Sequence, residues 1–303
     1  MKSIFFSTGG VHIATMLGML SELQNRIDEP NAVGGLSAGA LLAAMCATHG
    51  VSNAVEVMTV HSTDNLLKNK HKYFNTIISV LFSDSLVDST NLKNTVKELL
   101  KNKTLKCDLY VAYTDRDSMQ YVSKKFEKGK QYPNLYKHVV ASMSIPCFLQ
   151  AQKIEDKEYV DAGLFHTLPV EAMQKVIQQS INQKDPLDLV LLSAKPWGYH
   201  LTSKVKHSKW FPMLKDAYHI LSGFECIGIH NDQLLLNEIL KNAKLQHDHV
   251  NYSFFSIGQH DTEEWCKKIP FEKYGNIERK DVEKLMELGK NIIIKCTHSD
   301  LKF

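Results

Sequence analysis

A serine held between glycines at a sharp turn is the feature that most restricts what this 303-residue chain can fold into. The stretch is Gly34-Gly35-Leu36-Ser37-Ala38-Gly39-Ala40. Ala32-Val33 leads in as a short apolar run, and residues 40–47 lead out as a small-residue, helix-forming segment. The order is strand, turn, helix. Gly35-Leu36-Ser37-Ala38-Gly39 fits G-x-S-x-G, which sets a serine hydroxyl at the tip of a strained turn. Glycines remove the Cβ clash there, and the helix that follows aims its N-terminal dipole and free N–H groups at the site. Three fixed positions recur by accident about once in ten chains of this length. The strand-to-helix setting lifts the pentapeptide above that background, with Ser37 as nucleophile and Gly35 and Gly39 as the small residues of the elbow.

Upstream, Ile4-Phe5-Phe6 reads as a buried strand running into Ser7-Thr8-Gly9-Gly10-Val11-His12. A helix with Met16, Leu17, Leu20 and Leu23 at helical spacing follows and closes before Pro30. Converging backbone N–H groups in such a glycine turn make a plausible anion cradle. A tight turn without a ligand is the equal alternative. No Gly-Lys-Ser/Thr follows and G-x-G-x-x-G is absent, so the segment is not a nucleotide loop.

Further along, Leu109 to Tyr113 is a strand, with Met119 to Val122 as its pairing partner across a polar turn. A helix from Leu135 stops before Pro146. Tyr159-Val160 is a short strand ending in Asp161-Ala162-Gly163, and Leu187 to Leu192 is a buried strand. Helices are expected near residues 210–221, 229–240 and 281–295, with a strand near 252–257. Residues 68–82 mix basic and apolar side chains, fitting a cap helix folded on the core or a flap at an anionic lipid surface. Strand and helix alternation predicts an α/β fold with a mainly parallel central sheet covered by helices. No repeat or linker divides it, so residues 1–303 are expected to form a single domain.

The formal net charge of +3 is too small to argue for nucleic acid as a partner. The six cysteines are scattered without a C-x-x-C pair and read as free thiols. Met1 to Phe6 reaches glycines too soon for the apolar part of a secretory leader, and no apolar run has transmembrane length. The expectation is a cytoplasmic protein that touches intracellular membranes only peripherally. His247-Asp248-His249 and Cys296-Thr297-His298 lack structural-zinc spacing and read as loop decoration, so no metal and no cofactor are expected. Trp210-Phe211-Pro212 fits packing against the domain or contact with a bilayer interface.

An α/β-hydrolase needs several strands before the elbow, and here one strand and one helix precede Ser37. The chain instead resembles the patatin-like phospholipases over residues 3–195. Thr8-Gly9-Gly10-Val11-His12 is similar to that family's glycine-rich oxyanion segment, and Gly35 to Gly39 to its elbow. Ala141-Ser142-Met143-Ser144-Ile145-Pro146 resembles its A-S-x-x-x-P stretch, and Asp161-Ala162-Gly163 its aspartate motif. The resemblance implies a three-layer α/β/α fold and a dyad without histidine, with Ser37 as nucleophile and Asp161 as general base. It also implies an oxyanion hole at Thr8, Gly9, Gly10 and Val11, and a supporting turn at Gly163. The substrate it implies is a phospholipid or acylglycerol ester, met at a membrane surface. The sequence departs from the family where Thr8 replaces the first glycine of the triplet, His12 an Arg or Lys, Ile13 a glycine and Ala162 the middle glycine. Two alternatives stay open: a weakly active or inactive lipid- or protein-binding module of this fold, and a generic soluble carboxylesterase.

Overall fold

Strand β1 (Lys2–Phe6) sends Ile4 and Phe6 to one face of the sheet and Phe5 to the other, following the two-residue period of a strand. The two faces found two separate cores in the computed structural model. It describes residues 1–27, 29–59, 90–146, 149–194, 212–246, 249–256 and 279–298. Seven more strands join β1: β2 (Ala32–Leu36), β3 (Asp108–Asp115), β4 (Tyr121–Phe126), β5 (Gln152–Ile154), β6 (Lys157–Val160), β7 (Leu187–Ser193) and β8 (Val250–Ser256). Their order is β5-β6-β3-β2-β1-β7-β8, with β4 on the other edge of β3. The β1, β2, β3, β7 and β8 pairings are parallel, and the β4, β5 and β6 pairings antiparallel.

The larger core covers the Ile4 face. It takes side chains from α1 (Ile13–Leu23), α2 (Ala38–His49), α3 (Val51–Thr59), α4 (Thr90–Leu100), α5 (Leu135–Met143) and α8 (Arg279–His298). The Phe5 face is covered by α6 (Val170–Gln183) and α7 (Pro212–Gln246). Helices therefore flank the mostly parallel sheet on both sides, the expected three layers. Helix α2 is buried on all sides from Ala38 to Thr48, which is why its sequence is small and apolar all round. Helices α1 and α8 cross in backbone contact. A Cβ on Gly18 would stand 2.0 Å from Met286 O, and one on Gly289 2.0 Å from Thr15 O.

One detail of register builds the site. Strand β2 ends at Leu36, opposite Ala112, while β3 runs on to Asp115. The edge that β2 leaves open is taken by β6, which pairs Val160 with Thr114 and Tyr159 with Asp115. Asp161 follows β6 at once, beside the turn that follows β2.

Three expectations change. The two helices expected near 210–221 and 229–240 are one helix, Pro212–Gln246, because its interior glycines, Gly223 and Gly228, cost only about 1 kcal/mol each and no proline interrupts it after the first residue. Cys296, Thr297 and His298 close the last turn of α8 instead of lying in a loop. Strand β5 was not expected; at three residues it is too short to carry an alternation pattern. Residues 68–82, Trp210, Phe211, His247 and Asp248 lie outside the described residues.

Candidate active site

Ser37 stands between β2 and α2 with φ 54° and ψ −131°, a left-handed conformation that a side chain disfavours. The turn closes so tightly that a Cβ on Gly39 would lie 2.3 Å from Ser7 O. A Cβ on Gly35 would lie 2.3 Å from Gly39 O, so both positions accept glycine alone.

Two serines of the A-S-x-x-x-P stretch hold the arrangement. Ser142 Oγ accepts the Ser37 N–H at 2.8 Å and donates to Ala112 O at 2.5 Å, tying the elbow to β3. Ser144 O accepts the Asp161 N–H at 2.9 Å, and its Oγ donates back to Val140 O at 2.8 Å. Helix α5 thus fixes both sides of the site at once. Sequence reasoning matched the stretch to a family motif but gave neither serine a task.

Ser37 Oγ donates to Asp161 Oδ2 at 2.6 Å, and both residues are buried. The second carboxylate oxygen, Oδ1, accepts the Gly163 N–H at 2.7 Å as it caps the 3-10 turn Ala162–Leu164. A Cβ on Gly163 would meet Asp161 Oδ1 at 2.9 Å and Thr8 Cγ2 at 3.0 Å, so the glycine segment passes directly beside the dyad turn. Ala162 occupies its position with no exposed surface, against Leu36 and Ala112, and Tyr121 of β4 lies over this small cluster. Burial holds the Tyr121 phenol well above its ordinary range, with the Asp232 and Glu171 carboxylates acting in the same direction.

The glycine segment lies between β1 and α1. Ser7 Oγ donates to Thr8 O at 2.7 Å and accepts the Ala194 N–H at 2.9 Å. The Thr8 N–H donates to Thr167 O at 2.9 Å, and the His12 N–H to Gly9 O at 2.8 Å. Gly10 takes φ 49° as it opens the 3-10 turn Gly10–His12, which also carries Val11. The Thr8 amide is thus engaged by the loop that follows Asp161. The buried Thr8 hydroxyl has no hydrogen-bond partner among the described residues.

Asp232, on α7, was missed. Its carboxylate is buried against the loop that follows the dyad turn, where Oδ2 accepts the Thr167 and Leu168 N–H groups at 2.6 and 2.9 Å. An aspartate in the middle of a long helix carries no sequence signal that separates it from a solvent-facing one.

A family model described as patatin-like phospholipase matches residues 4–173. The chain belongs to that family. The match spans β1, the glycine segment, the elbow, α5 and Asp161, and ends within α6, so the patatin-like phospholipase region contains Ser37 and Asp161 but not Asp232. No curated protein sequence matches significantly. Among solved structures, the chain is similar to VipD from Legionella pneumophila at 13% identity and a TM-score of 0.47, covering 98% of this chain and 67% of that one. It is also similar to the type III effector protein ExoU at 9% identity and a TM-score of 0.24, covering 99% of this chain and 66% of that one.

Among the described residues, no cluster of three or more His, Cys, Asp or Glu side chains is placed to hold a metal ion. Among them too, no helix is long and apolar enough to cross a membrane.

Proposed function

We propose that this patatin-like chain is a lipid acyl hydrolase of the phospholipase A type, working through Ser37 and Asp161 without a cofactor. The observation that carries the reading is the 2.6 Å hydrogen bond from Ser37 Oγ to Asp161 Oδ2. Ser37 Oγ attacks the ester carbonyl as Asp161 takes its proton. The oxyanion is met by the amides of Gly9 and Gly10, donors typically worth about 3–4 kcal/mol each in the transition state. Asp161 returns the proton to the leaving alcohol, giving an acyl-enzyme on Ser37. Water, deprotonated by the same carboxylate, then releases the fatty acid.

The substrate class is phospholipid or acylglycerol, reached from a membrane surface on the cytoplasmic side, with residues 1–303 acting as one domain. Phe165, just beyond the dyad turn, is 39% exposed, and Ile227, next in sequence to the Gly228 that meets the Phe165 carbonyl, is 60% exposed. That apolar pair at the edge of the site suits an aggregated lipid better than a soluble ester.

Hydrolysis of phosphatidylcholine vesicles and of p-nitrophenyl butyrate by wild type, Ser37→Ala and Asp161→Asn tests the proposal. Turnover of vesicles by wild type alone supports it. Turnover of the butyrate ester only would make the chain a soluble carboxylesterase. An inert wild type whose Ser37 resists a fluorophosphonate probe would make it a binding module of the same fold.

A further inference from the structure

We infer that Asp232, outside the family-matched region, is a positioning residue that sets the oxyanion segment through one peptide group. The peptide joining Thr167 to Leu168 is gripped at both ends. Its N–H, on Leu168, donates to Asp232 Oδ2 at 2.9 Å, and its C=O, on Thr167, accepts the Thr8 N–H at 2.9 Å. A trans peptide points these two groups in opposite directions within one plane. Asp232 therefore pulls from one side while Thr8 is held on the other, and rotating the peptide breaks both bonds.

The preceding Thr167 N–H also donates to Asp232 Oδ2, at 2.6 Å, and the His166 ring meets Oδ1 at 3.1 Å. Oδ2 alone accepts both the Thr167 and the Leu168 N–H, so one acceptor oxygen in one place holds the peptide from this side. Gly9 and Gly10 follow Thr8 directly, so the orientation of their amides depends on this bond. The same loop is tied back to the dyad, because the Phe165 and His166 N–H groups both donate to Ala162 O, next to Asp161.

Helix α7 fits this task in a second way. Gly228, one turn before Asp232, lets the Phe165 carbonyl approach so closely that a Cβ there would stand 2.6 Å from it. Two residues on one face of α7 thus locate the start and the end of the 165–168 loop. The catalytic consequence rests on the hydrolase reading above. The mechanical one does not.

Three variants test the clamp: Asp232→Ala removes the acceptor, Asp232→Asn keeps an acceptor oxygen in place, and Asp232→Glu keeps the charge but moves it. Kinetics use p-nitrophenyl butyrate, and amide hydrogen exchange follows residues 7–12 and 165–168 against β3. Asp232→Ala is expected to lower kcat roughly 10- to 100-fold with KM within about twofold, the loss typical of a misplaced catalytic group. Exchange should rise in the two loop segments and stay unchanged in β3. Asp232→Asn should recover most of kcat, and Asp232→Glu should not.

Wild-type kcat and exchange in Asp232→Ala would overturn the inference. So would an active Asp232→Glu beside a dead Asp232→Asn, which would make charge and not placement the issue. If Asp232→Ala does not fold, the Asn and Glu variants decide between these outcomes. An inert wild type with faster exchange at 7–12 in Asp232→Ala sinks the hydrolase reading and retains the clamp.

Discussion

Ser37 Oγ and Asp161 Oδ2 are 2.6 Å apart, and the other oxygen of the same carboxylate is occupied by the Gly163 N–H. The carboxylate is thereby fixed with one oxygen for the protein and, on the proposed mechanism, one for the reaction. In Asp161→Asn the amide oxygen keeps the Gly163 bond, which turns the NH2 group toward Ser37, where it donates a proton and takes none. This variant should lose about 10²- to 10⁴-fold in kcat, the usual contribution of a general base, with its thermal midpoint close to wild type. Initial rates and a melting curve on one preparation check it. Residual activity within tenfold of wild type would assign the proton to another group.

The backbone at Ser37 makes a separate prediction. With φ 54° and ψ −131°, its side chain sits where strain of about 1–3 kcal/mol is normal. Ser37→Ala and Ser37→Gly both lose the hydroxyl and its bond to Asp161, but only glycine relieves the strain. Both should be inactive, and Ser37→Gly should be about 1–2 kcal/mol more stable than Ser37→Ala in urea unfolding. Equal stabilities would mean that the elbow stores no strain at this residue.

Those two residues were the legible part of the site, for a physical reason. A strained elbow excludes side chains, so Gly35, Ser37 and Gly39 leave a pattern, and an aspartate that ends a strand before a tight turn leaves another. Short apolar runs along β1, β3 and β7 likewise exposed the sheet, because each strand is buried on both faces and feeds two cores. What binds the parts together left no sign of its task, even where a family motif marked the stretch. Ser142 and Ser144 act through a few hydrogen bonds at the end of an ordinary helix, and Asp232 acts across 64 residues on Leu168. The short β5 and the unbroken α7 were hidden because three residues carry no pattern and the interior glycines Gly223 and Gly228 decide little locally.

Thr8 stands where the family has a glycine, and its hydroxyl is buried beside the dyad turn without a partner among the described residues. A buried, unsatisfied hydroxyl costs about 1–3 kcal/mol. Thr8→Val keeps the shape and removes that cost, so it should be about 1 kcal/mol more stable than wild type. Retention of the hydroxyl at that cost fits a hydrogen bond to bound substrate, so kcat/KM on phosphatidylcholine vesicles should fall in the same variant. A stabilised Thr8→Val with unchanged kcat/KM would make the residue a packing feature alone.

His138, on α5, sets a pH dependence that lies away from the site. Burial, reinforced by Lys124 and Lys137, lowers its pKa from 6.5 to about 4, so the folded protein holds it neutral. Tyr113 Oη lies 2.9 Å from its Nδ1, which suits a phenol donating to a neutral ring, and Phe126 packs edge-on against it with centroids 5.0 Å apart. Between pH 6.5 and 4 the unfolded chain binds a proton that the folded chain refuses, so stability falls with pH across that window and levels off below it. The contribution is at most about 3 kcal/mol. His49 is shifted in the same direction by burial, so the wild-type profile alone does not isolate His138. The difference between wild type and His138→Gln does, because glutamine also offers the Tyr113 hydroxyl an acceptor but does not titrate. Urea unfolding at pH 7, 5.5 and 4.5 should show wild type losing more stability than His138→Gln at each step down. Parallel profiles would place the acid sensitivity of the fold elsewhere.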